Sequence, residues 1–428
     1  MNPQDQEAAP AEISTAGAGR TKKKRRGFFA IDMDQFEQAG KLGLVPAAAY
    51  LALMAGTEES NTVSSWGIHA ISENTGLTRH EAKQAVAALI RAGLMVELEA
   101  AKTRARTKPR YRLPMTDKRP ALAPKEQAAL EAIKSGKTPD PQAAYRAAGK
   151  GWIEKINDTW AEIPANPNVA FVPNSFVRTD TGMSPLARLL NAGEVNPLLL
   201  ALRLYGRQNL MEARGVPVEH IRQHYRAHVS QQLGVHPYRF VSLAPGRIWE
   251  GEEGSFDKSG IPGHFSIANE DFWAALRVLE HSHVVEWAVY TANGKPADKY
   301  APGRPVRPVA VVRNGVIQVA APESGAGKLS HAIYCAHDNP AAAPAEIERH
   351  WQQQGFLTAI EHASVPHIEG IGILRMTHRA DTDNAKAWWH QINEESRAAI
   401  FFYRGVADAL GIQLPDLTRV SPLNAAAA

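Results

Sequence analysis

Between residues 78 and 91, polar side chains with hydrogen-bonding reach recur at helical spacing: Thr78, Arg79, His80, Lys83 and Gln84, with Arg91 at the far end. Arg79 and Lys83 are four apart, so on a helix they point the same way. Arginine can donate two parallel hydrogen bonds to a guanine edge, glutamine can pair with adenine, and lysine more often holds phosphate. A few residues on, KTRARTKPRYR supplies six cations (Lys102, Arg104, Arg106, Lys108, Arg110 and Arg112) and no acid. Such a cluster is an electrostatic footprint for phosphate, with affinity that comes largely from counterion release. A third run, TKKKRR, holds Lys22, Lys23, Lys24, Arg25 and Arg26. Alone it reads as a solvated arm that can add phosphate contacts.

The surrounding pattern says what must position these groups. Thr78 followed by Glu81 is a capping box. Behind it Ala82, Ala85, Val86, Leu89 and Ile90 form one apolar stripe, opposite the polar side. Gly93 stops the helix. LMVELEA (94–100) then alternates as a strand, and PRYRL (109–113) returns as its partner. Lys102, Arg104, Arg106 and Lys108 fall in the turn between them, and Arg110 and Arg112 share one face of the returning strand. Upstream, VPAAAYLALMAG (45–56) reads as a helix ended by Gly56, and SSWGIHAISENTGL (64–77) as a second ended by Gly76. GFFAIDMDQF opens the ordered region with an alternating apolar edge.

Other chemistry is less well supported. APESGAGKLS (321–330) has a GK pair, but a phosphate-binding loop needs glycine where Pro322 stands and a hydroxyl where Leu329 stands. The stretch is expected to be a flexible loop. Of sixteen histidines, none has zinc-finger or HExxH spacing; Cys335 and His337 lie two apart near His331, His350, His362, His367 and His378. No metal, cofactor or catalytic signature emerges, so no enzymatic activity is expected. His378, Arg379, Asp381 and Asp383 precede the last helix, with Asp381 or Asp383 as its expected N-cap.

At 428 residues the chain needs more than one core. Residues 1–27 read as a disordered basic arm, 28–114 as the unit just described, and 115–165 as a linker with two short helices, the second carrying Trp152, Ile153, Ile156 and Trp160 in GWIEKINDTWAEIP. Residues 166–315 repeat the first plan: a strand (FVPNSFV), helices over 196–210 and 215–229, then a helix and hairpin over 267–315, with an insertion at 240–264. The third helix of this copy opens with Glu270 and Asp271, which repel phosphate, while Arg222, Arg226, Arg239 and Arg247 could form a basic patch. Residues 316–414 read as mixed α/β, with IQVAA, AIYCA and GIGILRM as strands and a helix over 384–411 that is core or dimer face. A tail (415–428) closes the chain. The expected class is α+β, mainly helical.

Net charge of +4, 44% apolar content and 21% charged residues fit a globular protein. No apolar run is long enough for a membrane span, no secretory leader is evident, and the lone Cys335 fits a reducing cytoplasm. The pattern WGIHAISENTGLTRHEAKQAVAALIRAGLMVELE with its basic hairpin resembles bacterial winged helix-turn-helix DNA-binding proteins, down to the L-x-R-A-G-L helix ending. That resemblance implies a recognition helix in the major groove and a wing on the backbone. The tandem arrangement is similar in architecture to plasmid replication initiators. The expectation is a homodimeric double-stranded-DNA-binding transcriptional regulator acting by operator occupancy, the alternative a replication initiator or maintenance protein of a mobile element. A third reading, an enzyme in residues 316–414, rests on the histidines alone.

Overall fold

The computed structural model describes residues 27–57, 61–103, 106–115, 122–150, 152–156, 159–162, 168–179, 182–232, 238–248, 265–293, 304–339, 341, 345–346, 349, 351, 356–361 and 369–414. The fold is α+β. The first strand, β1 (Phe28–Asp32), ends at Asp32, whose carboxylate accepts from the Asp34 and Gln35 amides and so caps α1 (Met33–Lys41). The sequence pattern hides this helix, because Met33 extends the strand-like alternation. Helix α2 (Leu44–Ala55) is buried from Ala47 to Met54 and forms the centre of the N-terminal core. It stops at Gly56, where a Cβ would lie 2.1 Å from the Trp66 ring. The short strand β2 (Val63–Ser64), too brief to show a period, is tied back by the Ser64 hydroxyl, which donates to the Leu53 carbonyl at 2.6 Å. Helices α3 (Ile68–Thr75) and α4 (Arg79–Arg91) follow, then β3 (Val96–Thr103) and β4 (Arg106–Arg112). These strands form a sheet of order β2-β4-β3.

Residues 122–162 build a small unit with its own core. Helices α5 (Pro124–Lys134) and α6 (Pro141–Gly149) pack on a hairpin of β5 (Ile153–Ile156) and β6 (Thr159–Glu162), burying Leu130, Ala144, Ala147 and Ile153. The expected helix over GWIEKINDTWAEIP is therefore a hairpin. The β-branched Ile153, Ile156 and Thr159 suit the paired strands, with Ile153 opposite Glu162, and this outweighs a weak helical period. Helix α6, with Asp140 capping the Ala143 amide, is an addition to the expected elements.

Strand β7 (Val169–Pro173) pairs antiparallel with β1, Ile31 opposite Ala170. Helices α7 (Pro185–Leu190), α8 (Asn196–Arg207) and α9 (Leu210–Ala213) come next. The helix expected over 215–229 is instead a turn leading into β8 (Arg222–Gln232). Its apolar residues fit both periods, no cap supports a helix, and strand partners exist on both sides. Strand β9 (Tyr238–Ile248) pairs with β8 and lies partly within the expected insertion. Helix α10 (Asn269–His281) then leads into β10 (Val285–Asn293) and β11 (Arg304–Arg313). With β12 (Val316–Ile317), β13 (Phe356–Glu361) and β14 (Glu369–Met376), these complete a seven-stranded antiparallel sheet of order β12-β11-β10-β14-β8-β9-β13. Glycines in β14 admit Tyr225 from β8: a Cβ on Gly370 would lie 2.7 Å from that side chain.

Two helices cover this sheet. Helix α11 (Pro322–Asp338) includes both the GK stretch, expected as a loop, and AIYCA, expected as a strand. Pro322 sits in its first turn. Gly327 lets the helix approach β11 so closely that a Cβ would meet the Val309 carbonyl oxygen at 2.1 Å. The glycines that mimic a phosphate loop thus serve helix–sheet packing. Of IQVAA (317–321), only Ile317 lies in the sheet, as the last residue of β12. Helix α12 (Asp383–Ala409) is capped by Thr382, which accepts from the Ala385 amide, and not by Asp381 or Asp383. A threonine flanked by two aspartates makes the cap ambiguous by type; backbone geometry selects the middle one. No helix among the described residues is long and apolar enough to cross a membrane.

Candidate nucleic-acid interface

The turn between α3 and α4 is set by Gly76, at φ +79°, a left-handed conformation that glycine adopts freely. Thr78 then starts α4 with a complete capping box: its hydroxyl accepts from the Glu81 amide, and the Glu81 carboxylate accepts from the Thr78 amide at 2.8 Å. The Thr78 hydroxyl also donates to the Glu81 carboxylate at 2.8 Å, and this bond, followed by that from the Thr78 amide, holds the Glu81 carboxyl below its ordinary pKa. The only acid of the helix is thereby engaged with its own N-terminus. Ala82, Ala85, Val86 and Leu89 are buried against the core that contains α2 and Ile71, and Ile90 packs at its margin.

Burial of that stripe turns Arg79, His80, Lys83, Gln84 and Arg91 to solvent together. Arg79, Lys83 and Gln84 form no hydrogen bond or ion pair with described residues, so their donors are available to a ligand. Arg91 folds back, its Nε donating to the Ala87 carbonyl at 3.4 Å, at the end of α4 remote from the turn.

The hairpin is longer than its sequence signature. Pairing runs from Val96 opposite Arg112 out to Thr103 opposite Arg106, with an irregularity between Leu98 and Ala101. Lys102, Arg106 and Lys108, expected in the turn, therefore lie in the strands, because threonines at 103 and 107 carry the β-structure outward. Arg104 and the arm residues Lys22, Lys23, Lys24, Arg25 and Arg26 lie outside the described residues. At the base, Arg110 is half-buried and Arg112 exposed, while Tyr111 between them points into the core. Burial, then the charge of Glu97, raises the Tyr111 pKa.

Helix α10 shares the burial spacing of α4 without its cationic front. Phe272, Ala275, Leu276 and Leu279 of α10 are buried at the same spacing as Ala82, Ala85, Val86 and Leu89 of α4. The helix ends match as well: Leu94 N–H bonds the Leu89 carbonyl, and Val284 N–H the Leu279 carbonyl. Yet Glu270 and Asp271 are exposed in the first turn of α10, and β10 lies between β11 and β14, so its hairpin is not a free wing. Arg222, expected in a surface patch, is 4% exposed and donates to His224 at 3.2 Å; the side chains of Arg226, Arg239 and Arg247 lie outside those described.

Two features arise from tertiary structure alone. A cleft of about 1050 Å³ opens beside the α3–α4 turn, with Glu73, Asn74, Glu81, Arg178, Ser184 and Asn191 among its walls. On β10 and β14, Glu286 and Arg375 form a buried ionic network: Arg375 donates to Glu286 at 2.8 Å and to Glu323 at 2.7 Å, and Arg379 and Arg313 also bond Glu286. Burial disfavours the Glu286 carboxylate, but Arg375, Arg379 and Arg313 outweigh it and bring its pKa down to about 2. The available sequence signal is a lone Glu in VVEWAV and a lone Arg in GIGILRM, each a charge inside an apolar strand.

No protein-family model matches the chain, and neither a curated protein nor a solved structure matches it at a significant level.

Proposed function

We propose that the protein is a sequence-specific double-stranded-DNA-binding protein of winged helix-turn-helix type, acting as a transcriptional regulator by occupying its operator. One observation carries this reading: the polar front of α4 faces solvent with Arg79, Lys83 and Gln84 making no hydrogen bond or ion pair among the described residues, and the chain runs from that helix directly into the β3–β4 hairpin, whose sequence over 102–112 is rich in cations and free of acids. The helix front reads base edges; the hairpin and the 22–26 arm hold phosphates. No chemical step is needed.

The reading is tested by binding of duplex fragments selected from a genomic pool. Arg79→Ala or Lys83→Ala is expected to lose preference for the selected site. Arg110→Ala or Arg112→Ala lowers affinity for all duplexes and reduces the salt slope by about one for each phosphate no longer neutralised. Failure of the unaltered chain to bind duplex at low salt rejects the proposal.

The matching burial of α4 and α10, with β1 paired to β7, favours a second reading, a replication initiator or maintenance protein of a mobile element. Selected fragments carrying direct repeats beside an origin support it; a single site in the gene's own promoter supports the regulator.

A further inference from the structure

At one end of the large sheet, the first residues of β10, the last of β11 and the residues after β14 meet α7. There Arg188, Arg313 and Arg379 gather with His283 and His378. Arg188 Nη2 lies 3.5 Å from His378 Nε2, and its other terminal nitrogen donates to the Met183 carbonyl. Arg313 and Arg379 each share Glu286 with Arg375. Four guanidinia thus face two carboxylates, Glu286 and Glu323, and Glu323 is fully buried behind Arg375. Among the described residues, Glu286 is the carboxylate bonded directly to Arg313 and Arg379.

Three further observations mark the cluster as incomplete. The Nε atoms of Arg188, Arg313 and Arg379 are buried without a hydrogen-bond partner among the described residues, an arrangement proteins avoid because each such group loses its water without replacement. Burial and then the charge of Arg313 lower the Arg188 pKa, so the two guanidinia are held together against their repulsion. Finally, His283 has φ +54°, a left-handed conformation uncommon for a non-glycine residue; Gly93, at φ +72°, holds the matching place after α4. The His283 carbonyl accepts from the Thr377 hydroxyl at 2.9 Å, which anchors the turn at the rim of the cluster.

We propose that Arg188, Arg313, Arg379, His283 and His378 form a phosphate-binding site. The bound group is either a backbone phosphate of DNA or the phosphate of a small ligand. Planar guanidinia with free donors suit a tetrahedral oxyanion in two-pronged fashion, and a dianion would neutralise the surplus charge. Helix α7 sets this site next to the reading helix: Ser184 and Asn191 line the cleft beside the α3–α4 turn, and Arg188 reaches the cluster. The DNA source rests on the function proposed above; the small-ligand source does not.

The test uses the full chain and two readouts: melting temperature in inorganic phosphate against chloride of equal ionic strength, and the salt dependence of duplex binding. Arg188→Gln is the informative variant because it relieves repulsion and leaves the Glu286 pairs intact, so without phosphate it melts no lower than the unaltered chain. Arg397→Gln, on the exposed face of α12, is the control. Phosphate raising the melting temperature by about 2–4 °C beyond chloride, with the rise abolished in Arg188→Gln and kept in Arg397→Gln, establishes a small-ligand phosphate site. No phosphate effect, but a salt slope reduced by about one in Arg188→Gln alone, establishes a DNA phosphate contact. The proposal is overturned if phosphate does no more than chloride and Arg188→Gln leaves the slope unchanged, or if the unaltered chain binds no duplex either.

Discussion

His378 couples stability to acid pH. Burial, then Arg188, Arg313 and Arg379, lower its pKa to about 4, against a partial opposing pull from Glu286. In the unfolded chain the imidazole takes its proton near pH 6.5, so between 6.5 and 4 the unfolded state binds more protons. Stability is therefore full above 6.5 and falls as the pH drops through that window, by about 2–3 kcal/mol. His378→Asn should flatten this part of a denaturant-derived stability profile; an unchanged slope between pH 6.5 and 4 would show that the imidazole titrates normally in the fold. Glu286 acts in a separate, lower window, because its pKa moves from 4.5 to about 2. The capping box offers a second residue-scale outcome. Thr78→Ala removes the hydroxyl that accepts from the Glu81 amide, at a cost of about 1 kcal/mol, and Thr78→Ser restores it. Thermal melts of the three proteins measure the difference.

Elements separate into those whose local rules suffice and those decided by contact. Helix α4 is legible in the sequence because stripe, cap and stop coincide: Thr78, Glu81 and the buried Leu89 stand where the pattern places them, whereas α2 is legible from its apolar run and the Gly56 stop. Strand β8 is not, since Ile221 and Tyr225 satisfy either period and only pairing with β9 and β14 decides. Helix α11 is hidden by its glycines, which read as a loop until the sheet beneath is known. That packing gives a sharp contrast. Gly327→Ala would push a methyl into the Val309 carbonyl and should destabilise by roughly 1–3 kcal/mol or more. Gly325→Ala, two residues earlier, meets only the tip of Ile400 at 3.5 Å and should be neutral or mildly stabilising. Equal losses from the two would show that α11 does not sit on β11 as described. The reading front itself is fully visible as residue types, whereas the Arg188–His378 cluster joins four distant segments that no local pattern connects.

At the scale of the molecule, the β1–β7 pair ties residues 28–32 to 169–173, and two helices of matching burial spacing, α4 and α10, differ in charge. Helix α4 has a cationic front and runs into the β3–β4 hairpin; α10 opens with Glu270 and Asp271 and runs into strands of the seven-stranded sheet. In the proposed function, α4 reads DNA and α10 supports the fold. The most direct test is duplex binding by the full chain against a pool of genomic fragments, compared with Lys83→Ala and with Arg277→Ala on the exposed side of α10. The account predicts that the unaltered chain enriches a discrete set of fragments, that Lys83→Ala loses the enrichment, and that Arg277→Ala keeps it. Enrichment that survives Lys83→Ala but vanishes with Arg277→Ala would contradict the assignment of base reading to α4.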